Sequence, residues 1–319
     1  MLLLTKEQAL ATPLPFPELD PESRREIPLG SVWPCAQADS KTQRKGRYLP
    51  ESMAHPGKML PAIAEHAITH YTQPGDLVID PMAGIGTTLV EAVHADRMAL
   101  GVEYEPHWAD LARRNVEHAT DRGAPGYAAV VQGDARDIVR LVGSDTIGKA
   151  ALVLTSPPYG SSLHGHVRST RDSGHSGIAK SDFRYSRDRG NLAHHSLDDL
   201  FTGFREILEG CYQLLKPGGH LVMTTRPFRR SGEFCDVPGR AWRAAIDAGF
   251  EPLERCVALL AGVREDKLVP RPSFFQLAHT RAQNAAGIPV HLVCHEEVHV
   301  LTRLADDAYV SDEAAESAA

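Results

Sequence analysis

The chain alternates between short apolar runs and longer segments in which apolar residues recur every three or four positions. The short runs predict strands, and the periodic segments predict helices. Predicted strands occupy Asp76–Asp80, Ala99–Tyr104, Ala128–Gln132, Ala151–Thr155 and His220–Thr225. Predicted helices occupy residues 58–71, 87–94, 106–118 and 197–215. This alternation indicates a parallel sheet with helices on both faces.

The remaining pattern divides the chain into regions. Residues 1–40 are rich in proline and predict an extended arm, whereas residues 305–319 are acidic and predict a disordered tail. The domain between them, 41–304, contains two polar or proline-rich insertions at about 160–195 and 261–289. Two late strands, 255–260 and 296–302, have no obvious crossover helix between them and are expected to pair antiparallel at the sheet edge.

Composition narrows the class of protein. The chain has 319 residues, of which 42% are hydrophobic, and no apolar run approaches the roughly 18 residues that span a bilayer. The apolar start, residues 1–4, is too short for the core of a signal peptide. The five cysteines are far apart and show no paired spacing, which is typical of reduced thiols. We therefore expect a cytoplasmic protein that does not associate with membranes.

Net charge leaves a nucleic-acid partner open. The total is −7, but the tail holds five acids and no base, and removing them leaves −2. Residues 41–47 and 168–189 are locally basic. Local charge governs contacts with phosphates, so the acidic total excludes nothing.

A glycine-rich turn follows the first predicted strand of the sheet and reads DPMAGIGTT, residues 80–88. Gly84 and Gly86 allow the backbone to approach a ligand closely, and Thr87 or Thr88 can cap a helix whose amino end favours an anion. The turn lacks the Gly-Lys-Ser/Thr of a phosphate loop, and its GxGxxG pattern is incomplete. By itself it indicates only a nucleotide site of some kind.

Acids at the next two strand ends make the pattern more specific. Glu103 can accept hydrogen bonds from both hydroxyls of a ribose, and Asp134 can accept one from an adenine amino group. Either residue alone could equally be a surface acid. Together with the glycine turn, they predict an adenosine-containing cofactor across three adjacent strand ends.

The fourth strand stops abruptly at Ser156-Pro157-Pro158-Tyr159. Prolines cannot donate to a sheet ladder, and each favours extended geometry in the residue before it. The result is a stiff tip that carries an aromatic ring at the edge where α/β sheets bind ligands.

These motifs resemble those of the S-adenosylmethionine-dependent amino-methyltransferases that modify N4 of cytosine or N6 of adenine in DNA. The resemblance rests on DPMAGIGTT and TSPPY and covers roughly 41–303. It implies a Rossmann-like methyltransferase fold: a seven-stranded, mostly parallel sheet with an antiparallel edge strand and helices on both faces. Met82 and Ile85 depart from the residues common in the family at those positions.

The resemblance also assigns roles, with S-adenosyl-L-methionine as cofactor, DNA as partner and no metal. Catalytic residues would be Ser156, Pro157, Pro158 and Tyr159. Cofactor-binding residues would be His55, Lys58, Asp80, Pro81, Met82, Gly84, Gly86, Thr87, Thr88, Glu103, Tyr104, Asp134 and Ala135. Backbone phosphates would contact Arg168, Arg171, Lys180, Arg184, Arg187 and Arg189.

The target base stays open. Serine before the prolines is more common in the cytosine-N4 branch, which favours cytosine over adenine N6. An RNA amino-methyltransferase and a catalytically silent binding protein are the alternatives, and a partner restriction endonuclease is possible. Methylation at cytosine C5 needs a cysteine nucleophile, and Cys35 precedes the cofactor turn, within the proline-rich arm.

Clustered histidines suggest a metal site, but they lack an obvious set of cysteine or carboxylate partners. They are His164 and His166, His194 and His195, and His291, His295 and His299. We interpret them as solvated or substrate-facing.

Overall fold

The computed structural model describes residues 30–158, 166–169, 178–181, 188, 190–230, 233–265, 267–272 and 274–305. Its strands are β1 (Val32–Trp33), β2 (Leu77–Asp80), β3 (Met98–Glu103), β4 (Tyr127–Gln132), β5 (Ala150–Thr155), β6 (His166–Ser169), β7 (Ile178–Ser181), β8 (Leu215–Thr225), β9 (Phe228–Arg230), β10 (Glu233–Cys235), β11 (Glu251–Leu259), β12 (Ala261–Arg264), β13 (Lys267–Pro270) and β14 (His295–Thr302).

Four of the α-helices in the described residues follow the periodic segments of the sequence, and the other four were not predicted. The helices are α1 (Ser40–Arg44), α2 (Pro61–Tyr71), α3 (Thr87–His94), α4 (Pro106–Asp121), α5 (Ile138–Val142), α6 (Leu197–Leu214), α7 (Val237–Asp247) and α8 (Phe274–Ala285). Proline at the first turn of α2 and α4, where a backbone N–H is not needed, fixes where these helices begin. In the part of the chain that the structure describes, no helix is long and apolar enough to cross a membrane.

The main sheet has the order β1-β11-β14-β8-β5-β2-β3-β4. Its strands run parallel except β14, which is antiparallel to both of its neighbours. The predicted Rossmann-like architecture is confirmed, but it has eight strands rather than seven, and the antiparallel strand is not at the edge. The additional strand is β1, which pairs with β11 and buries Trp33 to 2% exposure. A strand of two residues is too short to show the alternation of apolar and polar positions that predicts a strand, so the sequence did not predict β1.

The start of β8 also differs from the prediction. The helix was expected to reach residue 215 and the strand to begin at residue 220, but the strand begins at Leu215. Between Leu215 and His220 the register with β5 shifts, and Gly218 adopts φ +76°. A glycine in this left-handed conformation lets the Pro-Gly-Gly turn form an irregularity within the strand rather than a loop before it.

Apolar side chains cover both faces of the sheet. Leu152 and Leu154 of β5 pack with α2 and α3 on one face, whereas Val153 packs with α6 and α7 on the other. Because successive strand residues point to opposite faces, a strand that is buried throughout needs helices on both sides.

The two insertions contain secondary structure of their own. In the first, β6 and β7 pair antiparallel, and residues 192–194 form a 3-10 turn. In the second, β12 and β13 form an antiparallel hairpin that is followed by α8. The boundaries of the arm, the domain and the tail stay predictions.

A buried polar network holds the segment after α1 against α3, the helix that follows the glycine turn. Glu91 of α3 is 1% exposed and accepts hydrogen bonds from the Arg47 guanidinium and from Tyr48 Oη, both at 2.5 Å. Burial raises the pKa of Glu91, and Arg47 opposes this shift. This network therefore supports the helix that positions the glycine turn.

Replacing Glu91 with alanine should lower the free energy of unfolding by about 1–3 kcal/mol, because the buried Tyr48 hydroxyl loses its acceptor. Urea unfolding followed by circular dichroism measures the change. Glu117→Ala, an exposed substitution on α4, is the matched control and should change stability by less than about 0.5 kcal/mol. Equal values for both variants would show that the network contributes nothing.

Candidate active site

A cavity of about 1540 Å³ opens at the carboxyl ends of the parallel strands. The residues at or just after the ends of five adjacent strands, β4, β3, β2, β5 and β8, line it. Parallel strands bring all of their carboxyl ends to one sheet edge, so residues that are far apart in sequence meet there.

The glycine turn forms one wall of this cavity. Gly84 and Gly86 adopt φ values of +54° and +80°, which side-chain-bearing residues rarely adopt. A Cβ on Gly84 would lie 3.3 Å from His55 Nε2, and a Cβ on Gly86 would lie 3.2 Å from the Ala112 Cβ. Gly84 therefore keeps the turn open toward the cavity, whereas Gly86 caps α3 and allows it to approach α4.

Asp80, at the end of β2, is 4% exposed and braces the turn. Its carboxylate accepts hydrogen bonds from the Met82 N–H at 3.0 Å and from Thr88 Oγ1 at 2.6 Å. Burial raises the pKa of Asp80 to about 6, and these two donors limit the rise. Its main contacts are thus with the turn itself.

Glu103 ends β3 and is 7% exposed. One carboxylate oxygen accepts from the Gly84 N–H at 2.7 Å and the other from the Glu105 N–H at 2.8 Å. Burial raises the pKa of Glu103 to about 7, with smaller contributions from the charges of Glu105 and Asp80. Each oxygen has a second lone pair, so the group can still accept from a ligand.

His55 and Lys58 approach the cavity from the segment before α2. The His55 ring is 4% exposed, lies edge-on to Trp108 at 4.6 Å and accepts from the Gly57 N–H. Lys58 Nζ donates to the backbone carbonyl of His55 at 2.9 Å. Burial lowers the pKa of Lys58 to about 8, and the nearby Arg44 charge adds to this effect.

Asp134, after β4, pairs with Arg136 through both carboxylate oxygens, at distances of 2.5–3.1 Å. Partial burial disfavours its charge, but the Arg136 guanidinium and N–H outweigh this cost and lower the pKa of Asp134. Tyr104 Oη donates to Asp188 at 2.8 Å, and this contact raises the pKa of Tyr104 to about 12. Asp188 thus connects the end of the first insertion to the cavity wall.

The Ser-Pro-Pro segment after β5 lines the same cavity. Strand β5 is buried up to Thr155, and Ser156 and Pro158 then become partly exposed and line the cavity together with Pro157. Tyr159 lies outside the described residues. So do Arg171, Arg184, Arg187 and Arg189, whereas Arg168 lies in β6 and Lys180 in β7.

The structure brings nearly all of the predicted cofactor residues to this cavity. Its lining includes His55, Lys58, Asp80, Pro81, Met82, Gly84, Thr87, Thr88, Glu103, Tyr104, Asp134 and Ala135. Gly86 is the exception, because it lies beneath the turn against Ala112. The individual roles of these residues stay predictions.

Several lining residues were not predicted. Arg226 directly follows β8, so the strand-end signal that identified Glu103 and Asp134 could also have identified it. Asn191 and Glu296 have no such signal, because tertiary contacts bring them to the cavity. Asn191 Nδ2 donates to the buried Glu105 at 2.6 Å. Burial raises the pKa of Glu296, and Arg226 opposes the rise.

The prediction that the clustered histidines are solvated or face the substrate is wrong for His299. Its ring is fully buried on β14 and lies 5.1 Å from the Trp242 ring. Burial lowers its pKa, which keeps the ring neutral. The alternation of β14 places His299 in the core, and helix α7 covers it there.

Comparisons with known proteins agree with the motifs. Residues 6–114 match a family model described as DNA methylase. The type II methyltransferase M.BglI of Bacillus subtilis is 38% identical over 63 residues, which are 20% of this chain and 18% of that protein. The DNA adenine methyltransferase YhdJ of Escherichia coli (strain K12) is 28% identical over 111 residues, 34% of this chain and 35% of that protein.

A third relative, the type II methyltransferase M2.MboI of Moraxella bovis, is 31% identical over 91 residues, 28% of this chain and 30% of that protein. The matches thus span about a third or less of these relatives. Among solved structures, TrmN from Thermus thermophilus is similar with a TM-score of 0.47 at 19% identity, covering 82% of this chain and 53% of that chain.

Over residues 6–114, about a third of its length, the chain is similar to the DNA methylase family of N6 and N4 amino-methyltransferases that its motifs resemble. S-adenosylmethionine is the methyl donor of this family. The cavity fits such a group: the open glycine turn at the start of α3 suits a carboxylate, and the acids at the next two strand ends suit hydroxyl and amino donors.

Adenosine affinity should weaken about tenfold from pH 8 to pH 6, because protonation of Glu103 near pH 7 removes a full carboxylate acceptor for the ribose. Adenosine is a suitable probe because it keeps one protonation state over this range. Calorimetric titration at several pH values measures the dissociation constant.

The control for this pH dependence is Asp80→Asn. This substitution removes a second carboxyl with a raised pKa, which lies at the glycine turn. The inflection near pH 7 should survive in that variant. A constant affinity between pH 6 and pH 8 in the wild-type protein would contradict the assignment to Glu103.

Proposed function

We propose that this protein transfers a methyl group from S-adenosylmethionine to an exocyclic amine in DNA, with N4 of cytosine as the favoured target. The supporting observation is the single cavity that Ser156, Pro157 and Pro158 share with the glycine turn, Glu103 and Asp134. A catalytic tip beside a site that suits an adenosine is the arrangement that direct transfer between two bound molecules requires.

The bound cofactor supplies an electrophilic methyl group on a sulfonium. The chain's task is to position an amine whose lone pair is delocalised into the base. The Ser156 side chain and the Pro157 carbonyl would accept the two N–H groups, which would pull the nitrogen toward tetrahedral geometry. As the nitrogen bonds to the methyl carbon, the bond from that carbon to sulfur would break and S-adenosylhomocysteine would leave, and the methylated nitrogen would then lose one proton to water. The two prolines keep these acceptors rigid, so positioning supplies much of the rate enhancement.

Tyr159 follows the prolines directly, and we assign it to stacking on the target base. The base must leave the duplex before it can reach the tip, which costs a few kcal/mol. Stacking on an aromatic ring returns about 1–3 kcal/mol of this cost.

Serine before the prolines favours cytosine N4. N6 of adenine is the second candidate, because one of the similar proteins is named as a DNA adenine methyltransferase. Both reactions use the same acceptors and the same line of attack.

Incubation with isotopically labelled S-adenosylmethionine and unmethylated DNA, with RNA in parallel, tests the proposal. Nucleoside mass spectrometry should find label in N4-methylcytosine from DNA. Label in N6-methyladenine would transfer the proposal to the second base, and label in RNA alone would overturn DNA as the substrate. No transfer to either polymer by cofactor-loaded protein would refute the function.

Tyr159→Ala should reduce turnover at least a hundredfold while S-adenosylhomocysteine affinity changes less than about threefold, because the ring contacts the base and not the cofactor. Tyr159→Phe keeps the ring and should retain most of the activity. Normal turnover by the alanine variant would exclude the stacking role.

Asp134→Ala should weaken S-adenosylhomocysteine binding about tenfold, because an acceptor for the adenine amino group is lost. Asp134→Asn keeps one acceptor oxygen and should lose less. Arg136→Gln is the control for the ion pair with Asp134. If it weakens binding as much as Asp134→Ala, Asp134 acts through the pair and not on the cofactor.

A further inference from the structure

Helix α8 of the second insertion forms part of the cavity that the catalytic tip enters. Gln276, Leu277, His279 and Thr280 line this cavity together with Ser156 and the residues of the cofactor side. The cavity therefore extends beyond an adenosine site and is bounded there by a helix that belongs to none of the sheet's crossovers. This wall faces the cavity that a substrate reaching the tip would enter.

The charge of this region differs from that of the chain as a whole. Residues 267–294 contain three cations and no acid, although the chain has a net charge of −7. The cations are Lys267, Arg271 and Arg281. Two further arginines, Arg226 and Arg229, also line the cavity. Such a concentration of positive charge suits a polyanion.

The helix is held firmly against the domain. Arg271, just before α8, donates to the Ala36 carbonyl at 2.8 Å and to the Gln37 carbonyl at 2.9 Å. Gln276 Nε2 donates to the Val293 carbonyl at 2.6 Å. Asn284 Oδ1, in the last turn, accepts from the Val290 N–H at 2.9 Å. The Arg271 contacts join the segment before α8 to residues 36 and 37, and the Asn284 contact joins the last turn of α8 to the loop that follows it.

The exposed side chains on α8 are of the types that contact DNA. His279 lines the cavity and is exposed, and exposed Arg281 lies one turn beyond Leu277 on the same face. Arginine contacts phosphates or guanine edges, and a helix of 12 residues, about 18 Å long, fits the major groove. The helix thus combines suitable side chains, charge and position.

We infer that α8 is the element that contacts duplex DNA beside the target base, with His279 and Arg281 reaching the bases or phosphates next to the extruded nucleotide. This inference rests on the proposed function and specifies its substrate surface. A protein partner for α8 is the competing occupant, and the same experiment separates the two.

The experiment measures the binding of a fluorescein-labelled DNA duplex by anisotropy, for the full chain and for His279→Ala and Arg281→Gln. Each substitution should weaken DNA binding about tenfold. If Arg281 contacts a phosphate, Arg281→Gln should also reduce the slope of log affinity against log salt by about one. If it contacts a base, the slope should stay constant and the pattern of methylated sites should broaden.

The matched control is Arg243→Gln, which removes an exposed arginine from α7, outside the cavity lining. Its DNA binding should stay within twofold of the wild type. S-adenosylhomocysteine affinity should also stay within twofold in all three variants, which verifies that each is folded and that the cofactor side is intact.

Unchanged DNA affinity, salt slope and site pattern in both α8 variants would overturn the inference and leave the proposed function standing if the wild type still methylates DNA. A wild-type protein that binds no DNA duplex would overturn the inference as well. Absence of methyl transfer from every variant, despite weakened DNA binding by the α8 variants, would refute the proposed chemistry and keep α8 as a DNA-contacting surface.

Discussion

The parallel pairing of β5, β2, β3 and β4 is the constraint on which the rest of the site depends. Each strand contributes one functional group at its carboxyl end, and the hydrogen-bond ladder fixes the spacing between neighbours. Helices cover both faces of β5, β2 and β3, so this part of the ladder is shielded from water. The glycine turn, the two acids and the proline tip are thereby held in fixed order around one cavity.

Burial has a chemical consequence at this edge. Asp80 and Glu103 are almost completely removed from solvent, and their pKa values rise to about 6 and about 7. Both nevertheless accept backbone or hydroxyl donors from the glycine turn. The two acids thus shape the turn, and Glu103 also faces the cavity as an acceptor. Asp134, paired with Arg136, keeps its charge at a lower pH than either.

The central sheet and the helices between its main strands were predictable. The order of apolar and polar residues determines whether a segment forms a helix or a strand, and whether one or both of its faces are buried. Helices α1, α5, α7 and α8 were not predicted, although the apolar residues of α7 recur with helical spacing. Two further errors occurred where the local pattern is weak. Strand β1 has only two residues and exists because Trp33 finds a buried position beside β11. The early start of β8 depends on Gly218, whose left-handed conformation absorbs a turn within the strand. Neither feature corresponds to a periodic pattern of apolar residues in the sequence.

The sequence by itself indicated the resemblance to the family, the order of the main strands of the sheet and of helices α2, α3, α4 and α6, and the residues at the first four strand ends. These follow from local patterns and motifs, which tertiary contacts did not override. Only the tertiary structure decided which other groups reach the cavity. Asn191 and helix α8 come from the two insertions, and Glu296 comes from the antiparallel strand β14. Their positions depend on long-range contacts such as those of Arg271 with the segment before α1, and such contacts leave no periodic trace in the sequence.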